Sequence, residues 1–418
     1  LTVDLSSATH LGSSRLRVLA EALERARHHG AELALFAPPG SPAHHVLMLV
    51  GLPLTTEVIA NRAEQARAGI VSAVAAEPVF ADVDTGVDDA IALIYLLASP
   101  DAQLVGIACT AGNVGVDHVC ENNLGLLDLC RVEGVPVSRG AERPLNSVAP
   151  ADSAVHGSRG LGYAELPPTD RQLDADDAAT AWVRAAHAHP GELIGLATGP
   201  LTNLALALRK EPALPNLLRR LVIMGGAYDY RGNTNTVAEW NIAFDPEAAA
   251  EVFAAWSPTE TFEPLSLPIL CGLDVTRKIA LAPDILTKLA ARAGATTTAL
   301  SVDDEPGTRS SSSNPVIRVI EDATRFYLES YHRLGHGYLA HLHDPLAAAV
   351  ALDPQLVATR QATVDVELTG TLTRGMTVTD WTQRWGRKPN ALIGVDADPT
   401  VFFDRFIDRV GPFAAGLG

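Results

Sequence analysis

Apolar positions along this chain change period again and again. From residue 78 onward, apolar runs of strand length alternate with segments that repeat every three to four residues. Strands are expected at 79–83, 103–109, 193–197 and 220–224, and helices at 88–98, 116–131, 177–188, 201–209 and 246–255. Such alternation predicts an α/β fold with a doubly wound, mostly parallel sheet. A serine-rich loop at 303–314 precedes a long predicted helix from Pro315 to about Leu334. The period-two run Val364-Asp365-Val366-Glu367-Leu368 opens a stretch of strands over 363–395, and a last helix is expected near 400–410.

Upstream, the pattern reads strand (2–5), helix (Ser13 or Ser14 to His29), strand (32–36) and helix (43–50), with Gly30 and Pro38-Pro39-Gly40 as the breaks. Residues 57–77 read as an Ala-rich helical connector, dividing the chain into 1–56, 57–77 and 78–418. The first strand begins at Leu1, which suggests a first domain that is cut short and carries an unpaired sheet edge.

Composition narrows the function. A formal charge of −17 argues against wrapping nucleic acid, which calls for a basic surface. No apolar run is long enough to span a bilayer, and no basic segment precedes an apolar one at the start, so a cytoplasmic protein is expected. Cys109, Cys120, Cys130 and Cys271 form no C-x-x-C pair and read as buried, reduced thiols.

Chemistry concentrates where the first strand of the larger region hands over to its helix, at Asp82-Val83-Asp84-Thr85-Gly86-Val87-Asp88-Asp89. Asp88 and Asp89 equally suit the first turn of a helix. Four acids packed this closely, however, need a cation or shared protons, and a hard, oxygen-seeking ion such as calcium or magnesium suits them. The next strand ends carry Thr110-Ala111-Gly112-Asn113, Thr198-Gly199-Pro200 and Met224-Gly225-Gly226, which together would line one sheet edge. In Ala238-Glu239-Trp240-Asn241, an extended segment would turn Glu239 and Asn241 to the same side, where acid and amide suit vicinal hydroxyls. Asp245-Pro246 reads as a helix cap. His343-Asp344-Pro345 sets a titratable ring beside a possible ligand or a further cap. His332 and His336 have helical i, i+4 spacing but lack the glutamate of a zinc-protease motif.

Taken together, these stretches resemble the inosine-uridine-preferring nucleoside hydrolase family. Its D-x-D-P-G-x-D-D signature appears at 82–89 with Thr85 in place of proline. Gly112-Asn113, His156-Gly157, Ala197-Thr198-Gly199-Pro200, Met224-Gly225-Gly226, Glu239-Trp240-Asn241, His343-Asp344-Pro345 and Gly375-Met376-Thr377 follow in order, over about 78–412. The resemblance implies calcium held by Asp84, Asp89, the Thr198 carbonyl and Asp344, with Asp84 as the base that takes a proton from water. It implies ribose hydroxyls bound by Asp88, Asn113 and Asn241, the 5′-hydroxyl by Glu239 and Asn233, a base flanked by His156 and Trp240, and Met224 beneath the sugar. His343 is the implied acid for the leaving base, Asp82 a support behind the ligands, and dimers or tetramers the expected assembly.

The first 56 residues resemble part of a STAS domain, of the anti-sigma-factor-antagonist type, through Val3-Asp4-Leu5-Ser6, Gly12-Ser13-Ser14-Arg15-Leu16 and Ala37-Pro38-Pro39. Ser13 aligns with that family's phosphorylated serine, but Gly12 and Arg15 depart from its pattern, so a plain N-cap is the expectation there. Two other readings stay open. One is a regulatory nucleoside sensor that docks a protein partner through this segment. The other is an aspartyl-phosphate phosphatase, which would need a downstream lysine and a second acidic pair.

Overall fold

A computed structural model of the chain describes residues 76–146 and 155–418, together with 2–4, 34–37, 44, 46–47 and 54–55. Ser13 and the connector over 57–75 lie outside the described residues. The chain divides into two compact units, Leu1–Val74 and Ala75–Gly418. In the first, strands β1 (Thr2–Asp4), β2 (Ala34–Phe36) and β3 (Leu54–Thr55) pair in that order and in parallel. β3, two residues long, carries no strand pattern of its own.

The second unit is built on a sheet of nine strands. These are β4 (Glu77–Val83), β5 (Ala102–Cys109), β6 (Val137–Arg139), β7 (Leu193–Ala197), β8 (Leu218–Met224), β9 (Ile269–Cys271), β12 (Val357–Val366), β13 (Thr377–Asp380) and β14 (Ala391–Ala397). A short antiparallel pair, β10 (Ala280–Leu281) and β11 (Ala340–His341), stands apart from it. The order in the sheet is β13-β12-β14-β9-β8-β7-β4-β5-β6. Every pairing from β14 to β6 is parallel, and β12 runs antiparallel to both of its neighbours. The fold is therefore α/β with a mostly parallel sheet, as the alternation predicts.

Both faces of the strands are covered, as parallel sheets require. Val79, Ala81 and Val83 of β4 pack with helices α1 (Val87–Leu97) and α2 (Val116–Leu129). Phe80, from the opposite face, packs with α3 (Ala178–Ala188), α4 (Thr202–Lys210) and the later helix Pro246–Ala255. The chain leaves β4 toward β5 and β6, then returns to lay β7 against the other side of β4. The C-terminal ends of β4 and β7 thus flank the point where the winding reverses, which is where open α/β sheets bind ligands.

The remaining helices are α5 (Leu214–Leu217), α6 (Trp240–Phe244), α7 (Pro246–Ala255), α8 (Leu273–Thr276), α9 (Pro283–Arg292), α10 (Pro315–Arg333), α11 (His343–Leu352) and α12 (Pro399–Ala415). Asp245 caps α7 by accepting from the Ala248 N–H, with Pro246 at the first helical position. The serine-rich loop before α10 is fastened to it by Arg325–Asp304 (2.8 Å) and by the Ser310 N–H donating to Asp322 (2.6 Å). Among the described residues no helix is long and apolar enough to cross a membrane, and all four cysteines are free and buried.

Candidate active site

At the end of β4 the chain turns through Thr85-Gly86 into α1. The Thr85 hydroxyl donates to Asn123 on α2 (2.7 Å), and Asn122 donates to the Thr85 carbonyl. Side-chain bonds to α2 therefore hold the turn that the family signature builds with proline. Asp89 accepts from the Gly86 N–H (2.9 Å) and so caps α1, and it also accepts from the hydroxyl of Thr198 (2.7 Å) and the amide of Asn113 (3.3 Å). The cap and the site role of Asp89 coexist, because its two oxygens face different groups.

Asp84 is fully buried. Its Oδ2 accepts from the Asn113 N–H (2.7 Å), while its Oδ1 is buried with no hydrogen-bond partner. A β-carbon on Gly112 would lie 2.1 Å from Asp84 Oδ2, so only glycine lets the β5 loop approach this closely. Asp88, Asp89 and Asp344 each present an oxygen within 4.8 Å of the others. Asp344 stands in the first turn of α11, which the Leu342 N–H ties to the Ile279 carbonyl (2.9 Å). Burial pushes Asp88 up to about 7 and Asp84 and Asp344 well above the ordinary carboxylate value, and mutual repulsion adds to each. Four acids cannot all ionise here unaided. A carboxylate oxygen without a partner beside three converging carboxylates is the donor set of a hard cation. The residues present fit a metal ion.

Asp82 stands apart from this cluster. It points to the opposite face of the sheet and accepts from the Trp182 indole N–H (2.7 Å) and from Asn203 (2.9 Å). Its role is to fasten α3 and α4 to β4, which corrects its expected place behind the ligands.

A cavity of about 570 Å³ opens above the cluster. Asp88, Asn113, His156, Thr198, Met224, Asn233, Glu239, Trp240, Asn241, His343 and Asp344 all line it, whereas Asp84 and Asp89 do not reach its wall. The extended reading of 239–241 does not hold. Glu239 caps α6, accepting from the N–H groups of Asn241 (2.9 Å) and Ile242 (3.2 Å), and Asn241 lies within that helix. Both still reach the cavity, because the first helical turn points at it. Glu239 also accepts from the Gly226 N–H (2.9 Å), and Asn241 donates to the Thr198 carbonyl (2.6 Å) and the Met224 carbonyl (3.2 Å). Asn233 accepts from the Trp240 N–H (2.9 Å). The Trp240 indole N–H is buried without a partner, a donor left for a ligand.

Burial favours the neutral form of both His156 and His343. His156 accepts the Val87 N–H at Nδ1 (3.1 Å), and burial lowers its pKa to about 4. His343 shares a 2.7 Å bond between Nδ1 and the Thr276 hydroxyl, and burial, then His341 and Arg277, push it well below the ordinary value. His332 and His336 do not share a helix face, since α10 ends at Arg333. His332 lines a separate cavity near Tyr338, and His336 packs on Tyr331, so the zinc pairing is absent.

Sequence reasoning misses Arg231, Arg277, Tyr327 and Tyr331, which also line the cavity. Tyr327 and Tyr331 carry a readable signal, the i, i+4 spacing that sets both on one face of α10. Arg277 carries none, because it ends α8, a four-residue helix too short to show a period.

Comparison with known proteins agrees with this geometry. A family model described as inosine-uridine preferring nucleoside hydrolase matches residues 79–404. The pyrimidine-specific ribonucleoside hydrolase RihA of Citrobacter koseri is 34% identical over 339 residues, which span 81% of this chain and 99% of that protein. A purine-preferring ribonucleoside hydrolase from Gardnerella vaginalis is 30% identical with a TM-score of 0.70, covering 81% of this chain and 99% of that one. An inosine-guanosine nucleoside hydrolase is 28% identical with a TM-score of 0.69, over 80% of this chain and 99% of its own. A strand-end acid cluster at the winding reversal, a cavity above it and these matches lead to one conclusion: the chain belongs to the inosine-uridine preferring nucleoside hydrolase family, whose members are N-ribohydrolases.

Proposed function

We propose that the protein hydrolyses ribonucleosides in a calcium-dependent reaction, releasing ribose and a free purine or pyrimidine base. The observation that carries this reading is the buried set Asp84, Asp88, Asp89 and Asp344 beneath a cavity of nucleoside size, with Asp84 Oδ1 left unpartnered. Asp84, Asp89, Asp344 and the Thr198 carbonyl would hold the ion, with Asp88 close enough to join them. When bound, the ion supplies Lewis acidity that makes water a stronger acid and gathers the ribose diol.

The chain's own groups do the rest. Asp84 accepts the proton of the attacking water. Asp88, Asn113 and Asn241 take the ribose hydroxyls, and Glu239 with Asn233 takes the 5′-hydroxyl. As the bond to the base stretches, C1′ and the ring oxygen gather positive charge, which the surrounding carboxylates stabilise. Trp240 and His156 bound the base, and Met224 packs below the sugar. His343, neutral in its buried place, assists departure of the base by donating a hydrogen bond from its neutral N–H while keeping that proton. A cytoplasmic setting and a dimeric or tetrameric assembly belong to the same proposal.

Residues 1–56, on the same proposal, are a STAS-like segment that docks a protein partner. The enzymatic test is a panel of purine and pyrimidine nucleosides, assayed for reducing sugar with and without a chelator. Ribose release that chelation abolishes and calcium restores is expected. No release from any common nucleoside would sink the reading.

A further inference from the structure

The cavity wall carries two permanent cations, Arg231 and Arg277, whose guanidinium carbons each lie 5.9 Å from the centre of the Tyr230 ring. Arg231 is exposed and sits two residues before Asn233, on the side given to the 5′-hydroxyl. Arg277 is half-buried and directly follows Thr276, the residue that holds His343. It lines the cavity with Tyr331 and His336, and the Tyr230 ring lies 5.9 Å from its guanidinium carbon. Among the described residues it forms no ion pair, in a chain where most arginines are matched to an acid. An unmatched guanidinium in a wall otherwise rich in carboxylates calls for an anionic partner.

We propose that Arg277 stabilises the departing base as an anion, contacting acceptor atoms on its ring. This rests on the hydrolase reading above. In the step, the C1′–N bond breaks and its electron pair goes to the base nitrogen. The water oxygen bonds C1′, and the water proton goes to Asp84. The base anion, held against the guanidinium, takes its proton from solvent on release. His156 and His343 each have Nδ1 occupied, by the Val87 N–H and the Thr276 hydroxyl, and Arg277, which directly follows Thr276, adds a permanent positive charge to the same wall.

The test compares leaving groups in wild type and Arg277→Gln. Uridine and inosine leave as poor anions, whereas p-nitrophenyl β-ribofuranoside releases a stable phenolate without help. Arg277→Gln should lose about 100-fold or more in kcat on the nucleosides and less than about 5-fold on the aryl riboside. Equal losses on both, or none on either, overturn the proposal. A binding arm separates this from the hydrolase reading. 5-Nitrouracil, an anion at neutral pH, should bind wild type at least about tenfold more tightly than uracil, and Arg277→Gln should erase that preference. A wild type that cleaves no nucleoside yet shows the preference overturns the hydrolase reading and keeps the cation. A wild type without the preference overturns the role of Arg277.

Discussion

At the scale of single residues, the proposed reaction turns on Asp84. One oxygen is held by the Asn113 N–H and the other has no protein partner, so the group is oriented and half of it is free for chemistry. Asp84→Asn keeps the shape and the bond to Asn113 but removes the base and a ligand charge. Its kcat is expected to fall about 10³-fold or more, measured by ribose release at saturating calcium. An unchanged rate would remove Asp84 from the mechanism. Asp84, Asp88 and Asp89 were legible because three acids within six residues after an apolar strand repel one another, and a helix cap accounts only for Asp88 and Asp89. Asp82 reads the same way in sequence yet serves Trp182 and Asn203, since it lies within β4 on the Phe80 face, whereas Asp84 follows the strand's end at Val83 and escapes the alternation.

At the scale of elements, site precision comes from how helices begin. Asp89 caps α1, Glu239 caps α6 and Asp245 caps α7, so three acids near the site also hold helix N-termini. α10, which carries Tyr327 and Tyr331 into the cavity, begins at Asn314, whose Oδ1 accepts from Val316 and Ile317 and whose Nδ2 donates to the Ala414 carbonyl at the end of α12. Asn314→Ala removes the cap and the side-chain bond to the Ala414 carbonyl, which keeps the Leu417 N–H (3.0 Å). Chemical denaturation should show a loss of about 2 kcal/mol, and a loss below about 0.5 kcal/mol would mean the bonds do not hold the helix. The caps at 88–89 and 245–246 are readable from local residues. The link from Asn314 to Ala414 spans 100 residues, and no local pattern announces it.

At the scale of the whole molecule, a cluster of buried acids makes stability depend on pH and on cations together. Asp82 and Asp88 are raised from 3.8 to about 7 by burial. A carboxyl whose pKa rises on folding binds its proton more tightly in the folded chain. Its stabilising contribution is complete below about pH 4 and is lost as pH climbs toward about 7. A divalent ion at the cluster replaces the proton of Asp88, though not that of Asp82 on the opposite face, so calcium should help most where the Asp88 proton has left. The rise in Tm on adding saturating calcium is expected to be larger at pH 7.5 than at pH 5, as thermal melts would read. An equal rise at both, or none at pH 7.5, would mean that no ion occupies the cluster.

The sequence by itself determined the α/β alternation, most strand and helix positions in the larger unit, and the ordered landmarks of the site. These are local signals, set by apolar period and by residues with few structural uses, and they survive without knowledge of the fold. Only the tertiary structure decided that β7 returns beside β4 and so brings Thr198 to Asp89, that residues 239–241 reach the cavity from a helix start rather than a strand, and that Arg277 faces the same space. Those depend on long-range pairing across the sheet, where the energy lies in burial and hydrogen bonds between distant segments, and such contacts leave no periodic trace in either segment alone.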